Sequence, residues 1–350
     1  MKHTLAVLLF VVALGTRIRA EDKFDILVYT ANKASAEIQL DGKLDDPAWG
    51  NAPQVGGSFT FYGKPDKARP QTFFRVLYTD RFLYVGVTCE EPKMDLHKPT
   101  SQARDAHAVF STECIEFFVD PAHSHSTYYQ IAVNSAASIY DSVGQNATWS
   151  ADVRAATTMG RNEWTMEIAI PWKDLGVEPI AGRLLGFNIC RDRHIGEKQW
   201  TNWSRCVTGF HDPHRFGHVL LGGASEVLGA LGGELRKGER SGPIVILSDK
   251  GSSRATYRAL AKGALKTLDE NLARLRGEMK KEKAAASRQE LGKLLAKYTA
   301  EIKPVRAALQ GAADIEVREW TKMDLRITDL NRGLANAVWE ARLAALIRQI

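Results

Sequence analysis

The chain has 350 residues, of which 44% are hydrophobic and 25% charged, a composition typical of globular proteins and a length sufficient for two domains. Its formal net charge of +6 divides unevenly, with about −6 over residues 21–249 and about +9 over residues 250–350. Opposite charges indicate two modules that attract each other or bind different partners. We expect no nucleic-acid partner.

Residues 1–20 have the features of a secretory signal peptide. Lys2 and His3 precede an apolar run over residues 5–14, which is too short to span a bilayer but typical of a signal core. We therefore expect a secreted or periplasmic protein with no membrane span.

In an oxidising compartment four cysteines allow three disulfide pairings, and the sequence does not select among them: Cys89, Cys114, Cys190 and Cys206.

Residues 21–224 have the pattern of a β-sandwich. About ten short segments alternate apolar and polar side chains, and turns separate them at regular spacing. The dipeptide Asp41-Gly42 is one such turn, and a second turn after it directs Trp49 into a core. The predicted fold class is mainly β, an antiparallel, jelly-roll-like sandwich of two sheets.

One predicted strand has an acid at its centre. Within F-S-T-E-C-I-E-F-F-V-D-P, residues 110–121, the apolar Ile115 and Phe117 alternate with Glu116. This alternation sends the apolar side chains into a core and the carboxylate to the other face of the sheet. Glu116 is therefore either a surface acid or the floor of a ligand groove with Phe110 at its lip.

Residues 250–350 follow a different, helical period after a Gly- and Ser-rich linker over residues 225–249. Apolar side chains recur at spacings of three and four, the heptad pattern of packed helices. A capping box at residues 287–290 begins the second helix, which Pro304 is expected to bend or interrupt, and a third helix follows. We predict an all-α domain, a helical hairpin or three-helix bundle, with a dimeric coiled coil as the alternative.

Seven motifs occur in an order that resembles carbohydrate-binding module family 9 (CBM9) over residues 38–221. They are I-Q-L-D-G-K-L-D-D-P-A-W, V-T-C-E-E-P, E-C-I-E-F-F-V-D-P, Y-Y-Q-I-A-V-N, W-T-M-E-I-A-I-P-W, L-L-G-F-N-I and F-H-D-P-H-R-F-G-H-V-L-L. Proteins similar to this family are β-sandwiches, some with bound calcium, that hold the end of a sugar chain between two aromatic side chains. They are appendages of secreted polysaccharide-degrading enzymes. The resemblance does not extend to the helices.

The resemblance implies ligand-binding roles for particular residues. The aromatic pair falls on Phe110 and Phe210, and the carboxylate that accepts sugar hydroxyls falls on Glu116. An arginine of the family falls near Ala132, where Gln130 is the polar side chain on the same face. Phenylalanine also stands at both aromatic positions where the family examples have tryptophan.

Two further departures concern polar contacts. A glutamine of the family falls on Cys190 and an asparagine on Val207, so we expect weak or altered sugar recognition. Trp200 and Trp203 are candidates for stacking on a sugar or for the core, and we include Trp203 among the expected ligand-binding residues.

The sequence offers weak candidates for a metal site and none for another cofactor. The resemblance implies possible calcium, and Asp45, Asp46 and Asp95 supply the oxygen ligands that calcium prefers. A helical metal spacing also joins three histidines in a segment that we predict to be a turn and a strand: His211, His214 and His218.

The leading interpretation is a secreted, non-catalytic glycan-binding protein associated with polysaccharide breakdown, whose partner is an oligo- or polysaccharide. One alternative is a scaffold with a degenerate sugar site and helices that self-associate. Another is a glycoside hydrolase that pairs Glu116 with Glu113 or Asp120. Catalytic carboxylates lie about 5–10 Å apart across a cleft, whereas Glu113 falls on the opposite face and Asp120 about 13 Å along the strand.

Overall fold

The computed structural model describes most of the chain on both sides of the predicted linker. The described residues are 25–222, 243–311 and 317–347, together with Leu231, Leu235, Ala313 and Ile315. The predicted signal peptide and most of the predicted linker lie outside them. Within the described part of the chain, no helix is long and apolar enough to cross a membrane.

Two β-sheets form the first domain. Their strands are β1 (Ile26–Lys33), β2 (Val55–Gly56), β3 (Thr60–Phe61), β4 (Thr72–Tyr78), β5 (Phe82–Glu90), β6 (Cys114–Asp120), β7 (Tyr129–Asn134), β8 (Ile139–Val143), β9 (Arg154–Met159), β10 (Glu163–Pro171), β11 (Leu184–Arg193), β12 (Gln199–Asn202), β13 (Gly217–Leu221), β14 (Ile244–Ser248) and β15 (Gly251–Ala255). A single helical turn, α1 (Trp172–Leu175), follows β10 and ends at Gly176.

Strand β1 joins the two sheets. One sheet follows the order β8-β7-β6-β11-β13-β1, and the other continues through β1-β4-β5-β10-β9. The neighbours in both sheets pair antiparallel except at β1, which pairs in parallel with β13, β14 and β4. The predicted β-sandwich is confirmed, and its parallel pairs all involve this one strand.

The core between the sheets follows the predicted alternation. Ile115 and Phe117 of β6 point into it and are fully buried, together with Trp164 of β10 and Phe187 of β11. Glu116 points to the opposite face, but this face is also covered, since Glu116 is only 5% exposed. The acid is therefore not a solvated surface residue.

The predicted turn at Asp41-Gly42 docks onto β10 through one buried carboxylate. Glu167 accepts hydrogen bonds from the backbone N–H groups of Asp41 and Gly42 at 2.9 Å and from Trp49 Nε1 at 2.8 Å. Gly42 has φ of +82°, and a Cβ there would lie 2.5 Å from the backbone of Thr157. Trp49 is 1% exposed, which confirms its predicted burial.

A network of buried charges lies at one end of the sandwich. Arg191 of β11 contacts Glu113 at 3.2 Å and Glu91 at 3.5 Å, and Arg193 Nε donates to Glu91 at 2.7 Å. Glu113 also accepts from the backbone N–H of Ile195 at 2.9 Å. Because each of these charges is nearly inaccessible to water, the network is stable only while every member keeps its partners.

Three helices follow the sandwich and confirm the predicted helical domain: α2 (Tyr257–Lys281), α3 (Ala285–Ala308) and α4 (Val317–Ile347). They bury their heptad positions against one another. Their cluster continues onto the sandwich, where Ile26 and Val28 of β1 and Leu220 of β13 join Tyr257 and Leu260 of α2. The helical domain therefore shares an apolar core with the first sheet.

Three details of this region differ from the sequence prediction. Residues 244–248 were assigned to the linker, but they form β14, which pairs with β1 and makes a hairpin with β15. Helix α3 begins at Ala285, two residues before the predicted capping box at residues 287–290. Pro304 lies inside α3 and does not end it, since the helix continues to Ala308. A proline inside a helix removes one backbone N–H donor, and the helix tolerates that loss here.

The four cysteines are all buried and none of them forms a disulfide, so none of the three possible pairings is present. Cys89 lies in the core between the sheets, and Cys114 and Cys190 lie in two smaller apolar clusters. Cys206 Sγ accepts a hydrogen bond from Asn188 Nδ2 at 3.3 Å. Burial raises the pKa of the Cys89 thiol to about 12. The first three thiols act as small apolar side chains in their clusters.

We expect Arg191→Gln to lower the free energy of unfolding by about 3–5 kcal/mol, because it leaves Glu113 buried without its cation. Urea titration followed by tryptophan fluorescence measures this loss. Lys33→Gln is the matched control, since Lys33 and Asp80 form a solvent-exposed pair that contributes little to stability. Equal midpoints for the two variants would contradict a stabilising role of the network.

Candidate ligand-binding cleft

The outer face of the first sheet forms the floor of an open cleft of about 560 Å³. Glu116 of β6 pairs with Ala132 of β7 on one side and with Cys190 of β11 on the other. These two small side chains leave space above the sheet beside the carboxylate. Asp192, two residues after Cys190 in β11, points to the same face because strand side chains alternate.

Aromatic side chains form the walls of the cleft. Phe110 comes from a 3-10 turn that precedes β6, and its ring packs edge-on against Tyr140 of β8 with 4.9 Å between ring centroids. Phe210 lies in the loop before β13 and packs edge-on against Tyr62 at 5.7 Å. Trp200 of β12 is 46% exposed at the rim. His107, Gln145 and His211 complete the lining.

Glu116 and Asp192 are in direct contact at the floor. A hydrogen bond joins the two side chains, and the exposed fractions of the residues are only 5% and 4%. Burial is the main cause that raises the pKa of Glu116 to about 7 and that of Asp192 to about 9, and the Glu116 charge contributes to the second shift. At neutral pH the pair therefore retains a proton.

Gln130 fixes the orientation of Glu116. Its amide Nε2 donates to Glu116 Oε2, and its carbonyl Oε1 accepts from Ser142 Oγ at 3.2 Å. Only one of the two orientations of the Gln130 amide group gives both its nitrogen and its oxygen a hydrogen-bond partner. By contrast, Asp192 Oδ1 is buried and receives no N–H or hydroxyl donor from the described residues.

The structure brings four of the five expected ligand-binding residues together: Phe110, Glu116, Gln130 and Phe210 all line the cleft. Trp203 does not, and this prediction is wrong in position. Its ring lies in the core, 3% exposed and 5.1 Å from the ring of Phe74. Trp200 is three residues earlier and points to the other side, because side chains an odd number of positions apart face opposite ways along a strand.

Four cleft residues were not assigned a role from the sequence: Asp192, Tyr140, His107 and Gln145. The signal for Asp192 is its position two residues after Cys190, where the resemblance places a polar contact and which pairs with Glu116 in the structure. Tyr140 is opposite Ala132 in the β7–β8 pair, so only the register of that pair brings it to the floor. Val207 is exposed and does not line the cleft.

The carboxylate pairs considered for hydrolysis do not meet in the cleft. Glu113 contacts Arg191 in the buried charge network. Asp120 accepts hydrogen bonds from the backbone N–H of His125 at 2.7 Å and from Ser124 Oγ at 3.3 Å. The acid that does accompany Glu116 touches it directly, whereas hydrolysis needs a separation of about 5–10 Å for a sugar or a water between the carboxyls.

The three aspartates considered for calcium do not form a metal site in the described part of the chain. Asp46 caps a 3-10 turn by accepting the backbone N–H of Ala48 at 2.9 Å, and Asp45 and Asp95 are exposed. No group of three or more His, Cys, Asp or Glu side chains among the described residues is arranged to hold a metal ion. This applies equally to the three histidines in the segment after Phe210.

Stability should fall as the pH rises, because the pKa values of the floor acids are higher in the folded state than in the unfolded chain. The buried floor acids are accommodated in their protonated form. The free energy of unfolding is therefore highest below about pH 4, where both acids are protonated in the unfolded chain as well, and it falls progressively towards pH 9. We expect Asp192→Asn to unfold at higher temperature than the wild type at pH 8 and to gain much less at pH 5.

The gain at pH 8 should exceed about 1 kcal/mol, since one pKa unit corresponds to about 1.4 kcal/mol. Thermal unfolding by circular dichroism at both pH values measures it. Asp80→Asn changes an exposed aspartate in the same way and controls for the substitution itself. A gain of equal size at pH 5 and pH 8 would contradict burial of an ionisable pair.

Comparison with known proteins supports the resemblance seen in the motifs. Two solved structures of a carbohydrate binding module family 9 from Caldicellulosiruptor kristjanssonii are similar, one in complex with cellotriose (17% identity, TM-score 0.42) and one with glucose (16%, 0.41). Each alignment covers 56% of this chain, and 94% and 96% of the respective structures. No curated protein sequence gives a match. The family model described as carbohydrate family 9 binding domain-like matches residues 40–224, more than half of the chain, and the chain therefore belongs to this family.

Proposed function

We propose that this chain binds carbohydrate in the cleft, at the end or along the length of a glycan. The observation on which the proposal depends is that Phe110, Phe210 and Glu116 line one open cleft. Membership of the carbohydrate family 9 binding domain-like family supports it.

The chemistry of the cleft suits a sugar. The C–H faces of a pyranose ring are apolar and pack on aromatic rings, here those of Phe110, Phe210 and Trp200. Its hydroxyls need buried partners, because an unpaired polar group costs free energy. Glu116 and Asp192 offer carboxyl oxygens at the floor, where a bound ring would exclude water.

We further propose that the protein is exported and acts without hydrolysing its ligand, in association with polysaccharide breakdown. The apolar run over residues 5–14 supports export. The direct contact between Glu116 and Asp192 supports a binding role over a hydrolytic one, since hydrolysis uses two carboxyl groups about 5–10 Å apart. Reducing-sugar release from soluble polysaccharides by the purified protein would contradict it.

A glycan array followed by calorimetry tests the sugar site. We expect Phe110→Ala and Phe210→Ala each to weaken binding of the best glycan at least tenfold, or about 1.4 kcal/mol, because each removes a stacking surface. Ile180→Ala is the control for loss of an exposed apolar side chain, since Ile180 is 59% exposed on the sandwich, outside the cleft. Absence of binding to every glycan, or equal affinity in all variants, would contradict the proposal.

A second proposal concerns the helical domain, for which we infer self-association. Four apolar side chains on the last turns of α4 are exposed at heptad-like spacing: Trp339, Leu343, Leu346 and Ile347. They form a second, exposed stripe on a face of α4 different from the buried stripe of the same helix, which includes Leu334 and Val338. A second copy of the chain would supply the same stripe and bury both.

Light scattering during size-exclusion chromatography tests this inference. The wild type should elute as a dimer or higher oligomer, and the double variant Leu343→Glu, Leu346→Glu as a monomer, because charges in the stripe oppose its burial. Ile180→Glu places the same charge on an exposed apolar residue of the sandwich and should leave the oligomer intact. A wild type that remains monomeric when its concentration in this measurement is raised 100-fold would refute self-association.

A further inference from the structure

In the part of the chain that the structure describes, the floor of the cleft contains acids but no permanent cation. The lining includes Glu116 and Asp192, and none of its described residues is lysine or arginine. Arg191 and Arg193, the arginines that flank Asp192 in β11, point to the opposite face and are held by Glu91 and Glu113.

The two histidines of the lining do not supply the missing charge. His211 shares a hydrogen bond of 3.0 Å with the hydroxyl of Tyr128, and burial lowers the pKa of its imidazole. His107 packs its ring on Phe110 at 5.2 Å and on Tyr140 at 6.3 Å, so it belongs to the aromatic wall. Neither histidine forms an ion pair with a floor acid among the described residues.

In the buried charge network, unlike the cleft floor, an inaccessible carboxylate has a cation and backbone donors as partners. Glu113 also has an inaccessible carboxylate, but Arg191 neutralises it and the backbone N–H groups of His194 and Ile195 donate to it. At the floor of the cleft, Asp192 Oδ1 has no such donor. Two buried carboxyls without a cation are costly, and a ligand that brings a positive charge removes that cost.

The walls favour the same kind of ligand. The faces of aromatic rings attract cations through their quadrupole, and Phe110, Tyr140, Phe210 and Trp200 surround the space above the acids. A neutral sugar would stack on these rings but would leave the acids without a counter-charge. A sugar with an ammonium group would use both the rings and the acids.

We propose that the cleft selects an amino sugar, a glycan with a free amino group such as a de-N-acetylated hexosamine, and seats its ammonium above the carboxyl groups of Glu116 and Asp192. The inference rests on the proposed function of the cleft in sugar binding. An ammonium provides three N–H donors, enough for both carboxyl groups and for the buried Asp192 Oδ1.

Calorimetry at pH 7 with three β-1,4-linked disaccharides tests the selectivity: the disaccharides of glucosamine, of glucose and of N-acetylglucosamine. These differ only in the group on carbon 2, which is an ammonium, a hydroxyl or an acetamide. We expect the glucosamine disaccharide to bind at least tenfold tighter than either neutral one, and the preference to shrink as the ionic strength rises.

Variants locate the selectivity in the floor. In Asp192→Asn and Glu116→Gln the ratio of glucosamine to glucose disaccharide affinity should fall towards one, because an amide offers no charge. Asp80→Asn is the matched control, in which the ratio should be that of the wild type. Circular dichroism verifies that each variant is folded, and the salt dependence of the wild type tests the inference independently of any variant.

The results with the three disaccharides distinguish a failure of the amino-sugar selectivity from a failure of sugar binding. Binding of the glucose disaccharide as tightly as the glucosamine disaccharide overturns the charge selectivity and leaves sugar binding intact. A ratio that is unaffected by salt, or is retained in both floor variants, also overturns it. Failure of all three disaccharides to bind overturns it as well, and the sugar site itself is then judged on the glycan array.

Discussion

The antiparallel pairing of β6 with β11 is the constraint on which both the fold and the cleft depend. Neighbouring side chains of a strand face opposite ways, so Arg191 and Asp192 lie on opposite sides of one sheet. Arg191 meets Glu113 in the interior, while Asp192 meets Glu116 in the cleft. A shift of register by one residue would exchange the faces and leave Glu113 without its cation. The buried ion pair therefore fixes the register that brings the two floor acids together.

This arrangement gives the two faces of the sheet different electrostatic properties. On the inner face each acid has an arginine partner, so the charges there stabilise one another. On the outer face the acids have each other and the amide of Gln130, so the unliganded cleft reduces its cost by retaining a proton. The buried floor acids thus lower the stability of the unliganded protein at a place where a bound ligand can compensate for them, as expected of a binding site.

Much of the cleft could be predicted from the sequence, but only along single strands. The alternation in β6 predicted the face on which Glu116 lies, and the order of the motifs placed the two phenylalanines beside it. Asp192 was not predicted because its proximity to Glu116 depends on a pairing between strands about 70 residues apart. Choosing between Trp200 and Trp203 required knowledge of which side of the sheet has space for an indole ring. The core has space for the Trp203 ring because Gly217 has no Cβ; a Cβ there would lie 2.5 Å from that ring.

The helical domain shows the same division between local pattern and distant pairing. Heptad spacing predicted three helices, but β14 was not distinguished from a linker because a five-residue apolar run after a Gly-rich segment has no period of its own. Its pairing with β1 changes the relation between the two domains. The hairpin of β14 and β15 extends the sheet that forms the floor of the cleft, and α2 packs its Tyr257 and Leu260 into the same apolar cluster as β1. The helices are therefore attached through a continuous sheet and core, so that any assembly they form would hold the cleft in a defined orientation.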